Sequence, residues 1–257
     1  APTTNVVITN GSAYSPYTAP TGNSVAYCWN LTNTAISGCE FISDTGTAPT
    51  ARTVNHNLGR VPQMIWAYNI GVPASNQVWV YHSAIGPGGA LNLGEANQSD
   101  NRNSFWGGNP AQFTTTTFGV GTDPAINSPD GMYYWLWSEI PGYSAFGSYT
   151  GNGSSNGPFI YTGFRPAFVM TKRSSAAEDW SIVNTTTSPN NTAFQNLRPN
   201  ETNGEGGGIG VNDIDILSNG FKLRNSTNRF NGTGTYIYAA FAENPFGGEN
   251  VSPANAR

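Results

Sequence analysis

Two glutamates, Glu139 and Glu243, end similar aromatic-rich segments of this sequence, and paired carboxylates are the usual machinery of glycoside hydrolysis. That reaction needs two acids placed across one glycosidic bond in a single cleft. Glu139 and Glu243 instead occupy equivalent positions of two repeated segments, so a catalytic pair made from them is disfavoured. We interpret each glutamate as a structural acid that accepts hydrogen bonds at the end of a strand.

Few other residues have the types and spacing of a metal or nucleophile site. Asp213 and Asp215 share one face of a predicted strand and could hold calcium together with loop carbonyls, but an exposed strand face is the simpler interpretation. The two histidines, His56 and His82, each lack a second ligand at a metal-binding spacing, and their scarcity also disfavours a serine hydrolase. We therefore predict no catalytic residue, no metal and no cofactor.

An aromatic residue in a predicted loop is the best candidate for ligand binding. Trp106 stands directly before Gly107-Gly108, in a turn-rich segment where a core tryptophan is not expected. A ring face presented from a loop can stack on a sugar, while asparagine side chains bind the hydroxyl groups. We predict a glycan site formed by Trp106, Asn103 and Asn109. The alternative is that Trp106 caps the end of the fold or fills a contact between subunits.

The elements that would position these residues repeat along the chain. Gly-x-x-Pro occurs at Gly59–Pro62 and again at Gly163–Pro166, and Glu139 and Glu243 follow these motifs at equal distances. All of these matches share one spacing of 104 residues. A constant spacing of this kind predicts a tandem repeat of units of roughly 100 residues.

Composition predicts that these units are built from strands. The 257 residues include 31 Gly and 17 Pro, and only 10% are charged, against roughly 25% in average soluble proteins. Residues that favour turns separate short apolar runs, a pattern typical of β-sandwiches. Asn219-Gly220, between apolar runs, predicts a hairpin. Trp79 and Trp180 fall in equivalent short strands, and we interpret both as core residues.

The predicted fold is all-β, with two tandem β-sandwich repeats of lectin-like or jelly-roll-like type and an N-terminal strand-bearing segment. That segment covers residues 1–39, and its strand Ser24–Trp29 corresponds to the last strand of an incomplete repeat. The first repeat covers residues 40–145, the second residues 146–247, and residues 248–257 form a polar tail. A single strand is not stable alone, so Ser24–Trp29 must pair with the first repeat, with another subunit or with further chain.

Charge and hydropathy argue against nucleic-acid and membrane partners, and the two cysteines allow one disulfide. The net charge is −4 and no Lys/Arg cluster occurs, so the electrostatic footprint of nucleic-acid binding is absent. No segment approaches the ~18 consecutive apolar residues of a membrane span, and we predict no membrane insertion. Cys28 and Cys39 are compatible with one disulfide across a short hairpin, or with Cys28 as a buried free thiol.

Several strings of the sequence resemble a known group of proteins. They are Phe146–Gly153, Gly157–Pro166, Leu217–Arg224 and Tyr236–Phe246. These strings look like the repeated C-terminal region of virion structural proteins of tailed bacteriophages, densely over residues 146–247 and more loosely back to about Val25. The resemblance implies a non-enzymatic, lectin-like β-sandwich array on the virion, and it identifies no catalytic residues.

From this resemblance we expect a virion protein, most simply a tail fibre or surface appendage that recognises glycans of the host surface. Its implied partners are other virion proteins and further copies of the chain, with a trimer as in many fibres. The low charge fits weak, multivalent binding of neutral glycans. Alternatives are a capsid-decorating protein, or a filament subunit whose strand Ser24–Trp29 completes a neighbour's sheet. A secreted carbohydrate-degrading enzyme would belong to a different class and would need an acid pair in one cleft.

Overall fold

The computed structural model describes Trp29 and residues 34–71, 78–206 and 213–243. Within these ranges the chain is all-β, as the composition predicts, with fifteen strands and only single-turn helices. All strand pairs are antiparallel. The predicted strand Ser24–Trp29, apart from Trp29, and the predicted tail at residues 248–257 lie outside the described residues.

The first repeat contains eight strands in the described ranges. They are β1 (Cys39–Asp44), β2 (Arg52–Asn55), β3 (Met64–Asn69), β4 (Val78–His82), β5 (Gly89–Asn92), β6 (Asp100–Asn101), β7 (Thr117–Val120) and β8 (Met132–Trp137). Short helices connect some of them: α1 (Thr34–Ser37), α2 (Asn103–Trp106), a 3₁₀ helix (Pro110–Gln112) and α3 (Pro124–Asn127). Proline at the start of two of these helices follows an Asn109 or Asp123 cap, as is common for helix N-termini.

The second repeat contains seven strands in the described ranges. They are β9 (Ser144–Gly151), β10 (Phe159–Tyr161), β11 (Pro166–Arg173), β12 (Ser181–Asn184), β13 (Ile214–Leu217), β14 (Gly220–Leu223) and β15 (Gly234–Ala242). Strands β13 and β14 form a hairpin around Ser218-Asn219, which confirms the prediction made from Asn219-Gly220. The repeat boundaries at residues 40 and 146 stay predictions.

Each repeat has a main sheet, and the first four strands of the six-stranded sheet follow the same order as the four strands of the other sheet. The first runs β1-β8-β3-β4-β5-β6 and the second runs β9-β15-β11-β12. The pairing registers also correspond: Met64 lies opposite Trp137 in the first sheet, and Phe168 lies opposite Phe241 in the second. The 104-residue spacing in the sequence is therefore a spacing between equivalent pairs of strands.

A smaller sheet covers one face of each main sheet. Strands β2 and β7 pair in the first repeat, with Val54 opposite Phe118. Strands β10, β14 and β13 form the corresponding sheet of the second repeat, with Ile160 opposite Phe221. Val54, Phe118, Ile160 and Phe221 are all buried, because they point from the small sheets onto the main sheets.

Three apolar cores hold these layers together. The first core lies between β2–β7, α2 and the first main sheet, and the second lies between the β10-β14-β13 sheet and the second main sheet. The third core lies between the two main sheets. Since side chains alternate along a strand, each main sheet contributes one face to its own repeat and the other face to the third core. The layers follow the order small sheet, main sheet, main sheet, small sheet.

Polar contacts also join the two repeats. The indole N–H of Trp180 donates to the backbone oxygen of Asn92 at 2.8 Å. The ammonium group of Lys172 donates to the backbone oxygen of Ala96 at 3.3 Å, and this buried position lowers the pKa of Lys172 to about 8. Trp180, Asn92 and Lys172 are buried, so these donors and acceptors depend mainly on protein partners.

Replacing Trp180 with phenylalanine tests this polar link. The change keeps most of the ring in the third core but removes the indole donor, which leaves the Asn92 oxygen with only the long bond from the backbone N–H of Glu95 at 3.4 Å. We expect the free energy of unfolding to fall by about 2 kcal/mol in chemical denaturation. Trp137→Phe is the matched control, since Trp137 lies in the same core and its indole nitrogen has no hydrogen-bond partner in the described structure. An equal loss in both variants would show that the hydrogen bond adds nothing.

The described end of the N-terminal segment packs on its own chain. The ring of Trp29 makes edge-to-face contacts with Trp137, Phe168 and Phe241, at centroid distances of 5.5, 6.2 and 5.6 Å. Trp29 thus joins the third core, where it contacts both repeats. Cys39 lies in the same core as a free thiol, and burial raises its pKa to about 12. Cys28, for which a disulfide and a buried free thiol were both considered, lies outside the described residues.

Candidate ligand-binding face

The residue predicted to stack on a sugar lies inside the protein. Trp106 is 0% exposed, and its ring packs edge-on against Tyr81 at a centroid distance of 5.7 Å within the first core. The expectation of an exposed ring is therefore wrong. The physical reason is Gly107, which ends helix α2 in the left-handed conformation, with φ of 76°. The glycines mark a helix C-cap that turns the chain after two core aromatics, rather than a loop that presents Trp106.

The two asparagines predicted beside Trp106 are at the surface. Asn103 begins helix α2 and is exposed. Asn109 is also exposed, and its side-chain oxygen accepts from the backbone N–H of Ala111 at 3.0 Å, which caps the 3₁₀ helix. Without an exposed ring from Trp106, these side chains do not form the predicted stacking site.

The candidate acids have structural partners. Glu243 pairs with Arg165 at 2.7 Å, and a side-chain oxygen of Glu139 accepts from the backbone N–H of Phe146 at 3.4 Å. Asp213 and Asp215 are buried, contrary to the expectation of an exposed strand face, and Asp215 forms an ion pair with Arg224 at 2.6 Å. Within the described ranges, no three histidine, cysteine, aspartate or glutamate residues group as metal ligands.

One further motif has the pattern of a catalytic nucleophile. The segment Gly153–Gly157 matches Gly-x-Ser-x-Gly with Ser155 at its centre. In a nucleophile elbow that serine stands between a strand and a helix. Here residues 153–156 are an exposed turn between strands β9 and β10, so the serine lacks the structural context of an elbow.

The two histidines are buried core residues. His82 accepts from the backbone N–H of Ala84 through Nδ1 at 3.2 Å, so Nε2 carries the proton and donates to the backbone oxygen of Tyr238 at 3.1 Å. Burial lowers the pKa of His82 to about 4. Burial also lowers the pKa of His56, whose Nδ1 accepts from the backbone N–H of Leu58 at 3.3 Å. Both imidazoles are therefore neutral near pH 7.

A different pair of aromatic residues is exposed. Phe159 and Tyr161, on strand β10, are 43% and 55% exposed, while Ile160 between them is buried in the second core. Because side chains alternate along a strand, the burial of Ile160 places the rings of Phe159 and Tyr161 on the outer face of the sheet. These residues lie within the phage-like string Gly157–Pro166, but no binding role was predicted for them. Their alternation around Ile160, directly after Gly157-Pro158, is the signal that could have identified them.

The strand next to β10 shapes this surface. Gly220 and Lys222 of β14 lie opposite Tyr161 and Phe159, respectively. A side-chain carbon at Gly220 would meet the Phe159 ring at 3.0 Å, so the ring lies partly over the glycine. The Lys222 ammonium donates to the backbone oxygen of Gly157 at 2.7 Å. We call the outer surface formed by Phe159, Tyr161, Gly220 and Lys222 the aromatic face.

The first repeat has no such face at the equivalent position. Ile160 corresponds to Val54, since each is the buried central residue opposite a phenylalanine of the small sheet. The flanking residues of the first repeat are therefore Thr53 and Asn55, which are polar and exposed. The two scaffolds match while the outward side chains differ. The first repeat therefore forms its small sheet without exposed rings at these positions.

The surroundings of the aromatic face supply hydrogen-bonding groups without a strong charge. The turn before β10 exposes Asn152, Ser154 and Asn156, and the Asp215–Arg224 ion pair lies beyond Lys222 on the same small sheet. Ring faces next to hydroxyl and amide groups can stack on an apolar ligand surface and bond its hydroxyl groups. The arrangement can therefore bind a ligand.

The fold and this surface define a class: an all-β protein of two repeats that carries an aromatic face on its second repeat. The chain belongs to the family described as Domain of unknown function (DUF7483), whose model matches residues 10–245. The matched range contains all fifteen described strands and the aromatic face. No curated protein and no solved structure matches the chain. In the described ranges, no helix is long and apolar enough to cross a membrane.

Proposed function

We propose that this chain is a non-enzymatic structural protein of a tailed-phage virion, located in a tail fibre or surface appendage, and that its aromatic face binds neutral glycans of the host surface. The observation that carries the binding proposal is the exposure of Phe159 and Tyr161 on a strand whose other side is buried. Two rings on a rigid sheet lose little conformational freedom when a ligand stacks on them. The phage-like strings Gly157–Pro166 and Leu217–Arg224 contain both strands of the aromatic face.

The protein's own first repeat provides the test variants. Phe159→Thr with Tyr161→Asn places the residues of Thr53 and Asn55 on the second repeat. Each aromatic contact contributes about 1 kcal/mol, so the double variant should lose glycan affinity by at least about tenfold. The measurement is a glycan array with wild-type and variant chains displayed at equal density, followed by titration of the best ligand.

The control for this experiment is Val61→Thr. Val61 is an apolar residue with 38% exposure outside the aromatic face, so its replacement should leave binding unchanged. The melting temperature of all variants should stay close to that of the wild type, because exposed substitutions change stability little. Unchanged glycan binding by the folded double variant would contradict the proposed role of the aromatic face.

Position on the particle is a separate part of the proposal, and electron cryomicroscopy of the assembly tests it. Density at the distal end of a tail appendage, with the aromatic face outward, is the expected result. Density on the capsid lattice would instead identify a decorating protein. The packing of Trp29 against its own chain argues against a filament in which that residue inserts into a neighbour.

A further inference from the structure

Asparagine followed by glycine is a chemically reactive step at several places in this chain. The backbone nitrogen of the glycine can attack the asparagine side-chain carbon, because no Cβ on the glycine hinders the approach. Five such steps, at Asn152, Asn156, Asn203, Asn219 and Asn231, lie in the described residues. A sixth step, at Asn10, lies outside them. The attack needs a free glycine nitrogen and a mobile backbone, so the fold decides which step reacts.

The two steps before strand β10 are held by hydrogen bonds. In Asn152–Gly153, the glycine N–H donates to the backbone oxygen of Asn231 at 2.7 Å. In Asn156–Gly157, the glycine is buried and its N–H donates to the backbone oxygen of Leu223 at 3.1 Å. Attack at either step requires that this bond first opens.

The last two steps are also held. In Asn219–Gly220, the glycine pairs with Leu217 to close the β13–β14 hairpin. The backbone oxygen of Asn219 also accepts from the backbone N–H groups of Thr162 and Gly163, which follow β10. In Asn231–Gly232, the asparagine is fully buried and the glycine N–H donates to the backbone oxygen of Thr227 at 2.8 Å. Neither backbone can reach the cyclic geometry without local unfolding.

Asn203–Gly204 lacks these restraints. Both residues are exposed, and a Cβ added at Gly204 would meet nothing within 4 Å. Within the described structure the N–H of Gly204 donates no hydrogen bond. The Asn203 side chain makes one contact, from its amide to a Glu201 side-chain oxygen at 3.2 Å, and both groups are exposed. The nucleophile and the carbon that it attacks are therefore accessible in the native fold.

We propose that Asn203 is a modification site where the native protein deamidates without an enzyme. The Gly204 nitrogen loses its proton and bonds to the side-chain carbon of Asn203, and the bond from that carbon to the amide nitrogen breaks, which releases ammonia. The resulting five-membered imide takes up one water, which opens it to aspartate or to isoaspartate. The balance is one water consumed and one ammonia released.

The product changes the local charge. A carboxylate at position 203 lies between Glu201 and Glu205 in the sequence, and it replaces the amide that donated to Glu201. Three acids within five residues repel one another, and Glu205 at present accepts from the Thr187 hydroxyl at 2.6 Å. Deamidation thus adds a third negative charge to residues 201–205, a stretch that contains no lysine or arginine.

The test is peptide mapping of the full-length folded protein after incubation in mildly alkaline buffer, with fragmentation mass spectrometry to locate each converted asparagine. Because each of the other steps must open at least one backbone hydrogen bond, Asn203 should convert at least about tenfold faster than Asn152, Asn156, Asn219 or Asn231. In denaturant the rates should converge, since all five steps then have a free glycine nitrogen.

A matched variant identifies the chemistry. Gly204→Ala adds a Cβ that meets no neighbour, so the fold is kept while attack by the following nitrogen is slowed. Slow conversion at Asn203 in this variant, with unchanged rates elsewhere, supports the imide route. Equal rates at all five steps in the native protein, or faster conversion at one of the four restrained steps, would overturn the proposal.

Discussion

Replacement of Trp106 with alanine is expected to lower the free energy of unfolding by about 3–5 kcal/mol. The ring is completely buried in the first core beside Tyr81 and Phe105, so its removal leaves a large cavity. The indole nitrogen has no hydrogen-bond partner in the described structure, so the loss comes from packing rather than from a broken polar contact. Chemical denaturation monitored by fluorescence and circular dichroism measures this change.

The natural control is Asn103→Ala, because Asn103 was predicted to share a site with Trp106 but is exposed. Its replacement should change stability by about 0.5 kcal/mol or less. Glycan binding by the folded fraction should be the same in both variants. Unchanged stability together with loss of glycan binding would instead identify Trp106 as a ligand-binding residue.

The stability of the protein should fall as the pH is lowered from about 6.5 to about 4, and His82 should account for a large part of the loss. Burial holds the pKa of folded His82 at about 4, whereas the ordinary value of 6.5 applies to the unfolded chain. Between these values the unfolded state binds a proton that the folded state does not. The stability is therefore fully present above pH 6.5, and about 3 kcal/mol is lost by pH 4.

Two variants separate this effect from general acid unfolding. His82→Gln keeps a donor for the Tyr238 oxygen, and His82→Asn keeps an acceptor for the Ala84 N–H. The second repeat already uses asparagine at this place: Asn184 lies opposite Phe168, as His82 lies opposite Met64. Both variants should have a shallower dependence of unfolding free energy on pH over this window, measured by urea denaturation.

A residual slope is expected in both variants. Burial also lowers the pKa of His56, which shifts stability in the same direction as pH falls. Asp179 accepts a hydrogen bond from Asn200 and pairs with Arg198 and Arg229, which lowers its pKa, so its contribution is lost only at more acidic pH. If both His82 variants keep the complete wild-type slope, burial of a neutral His82 does not govern this pH range.

The repeat could be predicted from the sequence because the repeated motifs lie at the ends of strands. Gly-x-x-Pro and the terminal glutamates mark where paired strands begin and end, and a constant spacing between such marks requires equivalent registers. The all-β fold followed from turn-rich composition, and the β13–β14 hairpin followed from Asn219-Gly220. These features depend on local backbone preferences, which a sequence displays directly.

Which way a side chain faces was harder to predict. Trp79 and Trp180 are both core residues, as predicted, but they lie in different cores, and Trp180 directly precedes β12 instead of lying within it. Trp79 lies opposite Ala67, and the matching position opposite Thr171 is occupied by Ser181, so Trp180 is one residue out of step. A shift of one residue turns a strand side chain to the other face of the sheet.

The error at Trp106 has a similar origin. Gly107-Gly108 is compatible both with a loop and with the end of a one-turn helix, and only the helix directs Phe105 and Trp106 into the core. A helix of four residues has no detectable periodicity. The aromatic face was missed because the apolar run Phe159-Ile160-Tyr161 is equally compatible with a strand that is buried on both sides. Its exposure depends on the position of β10 within the layers.

The order of the layers also limits what the duplication can achieve. Because the main sheets meet back to back, the outer surfaces of the two small sheets point in opposite directions. A single flat target can contact only one of them at a time. If both repeats carried aromatic rings, one chain would crosslink two ligand-bearing particles instead of binding one particle at two sites. Tighter attachment to a single surface therefore requires several copies of the chain side by side.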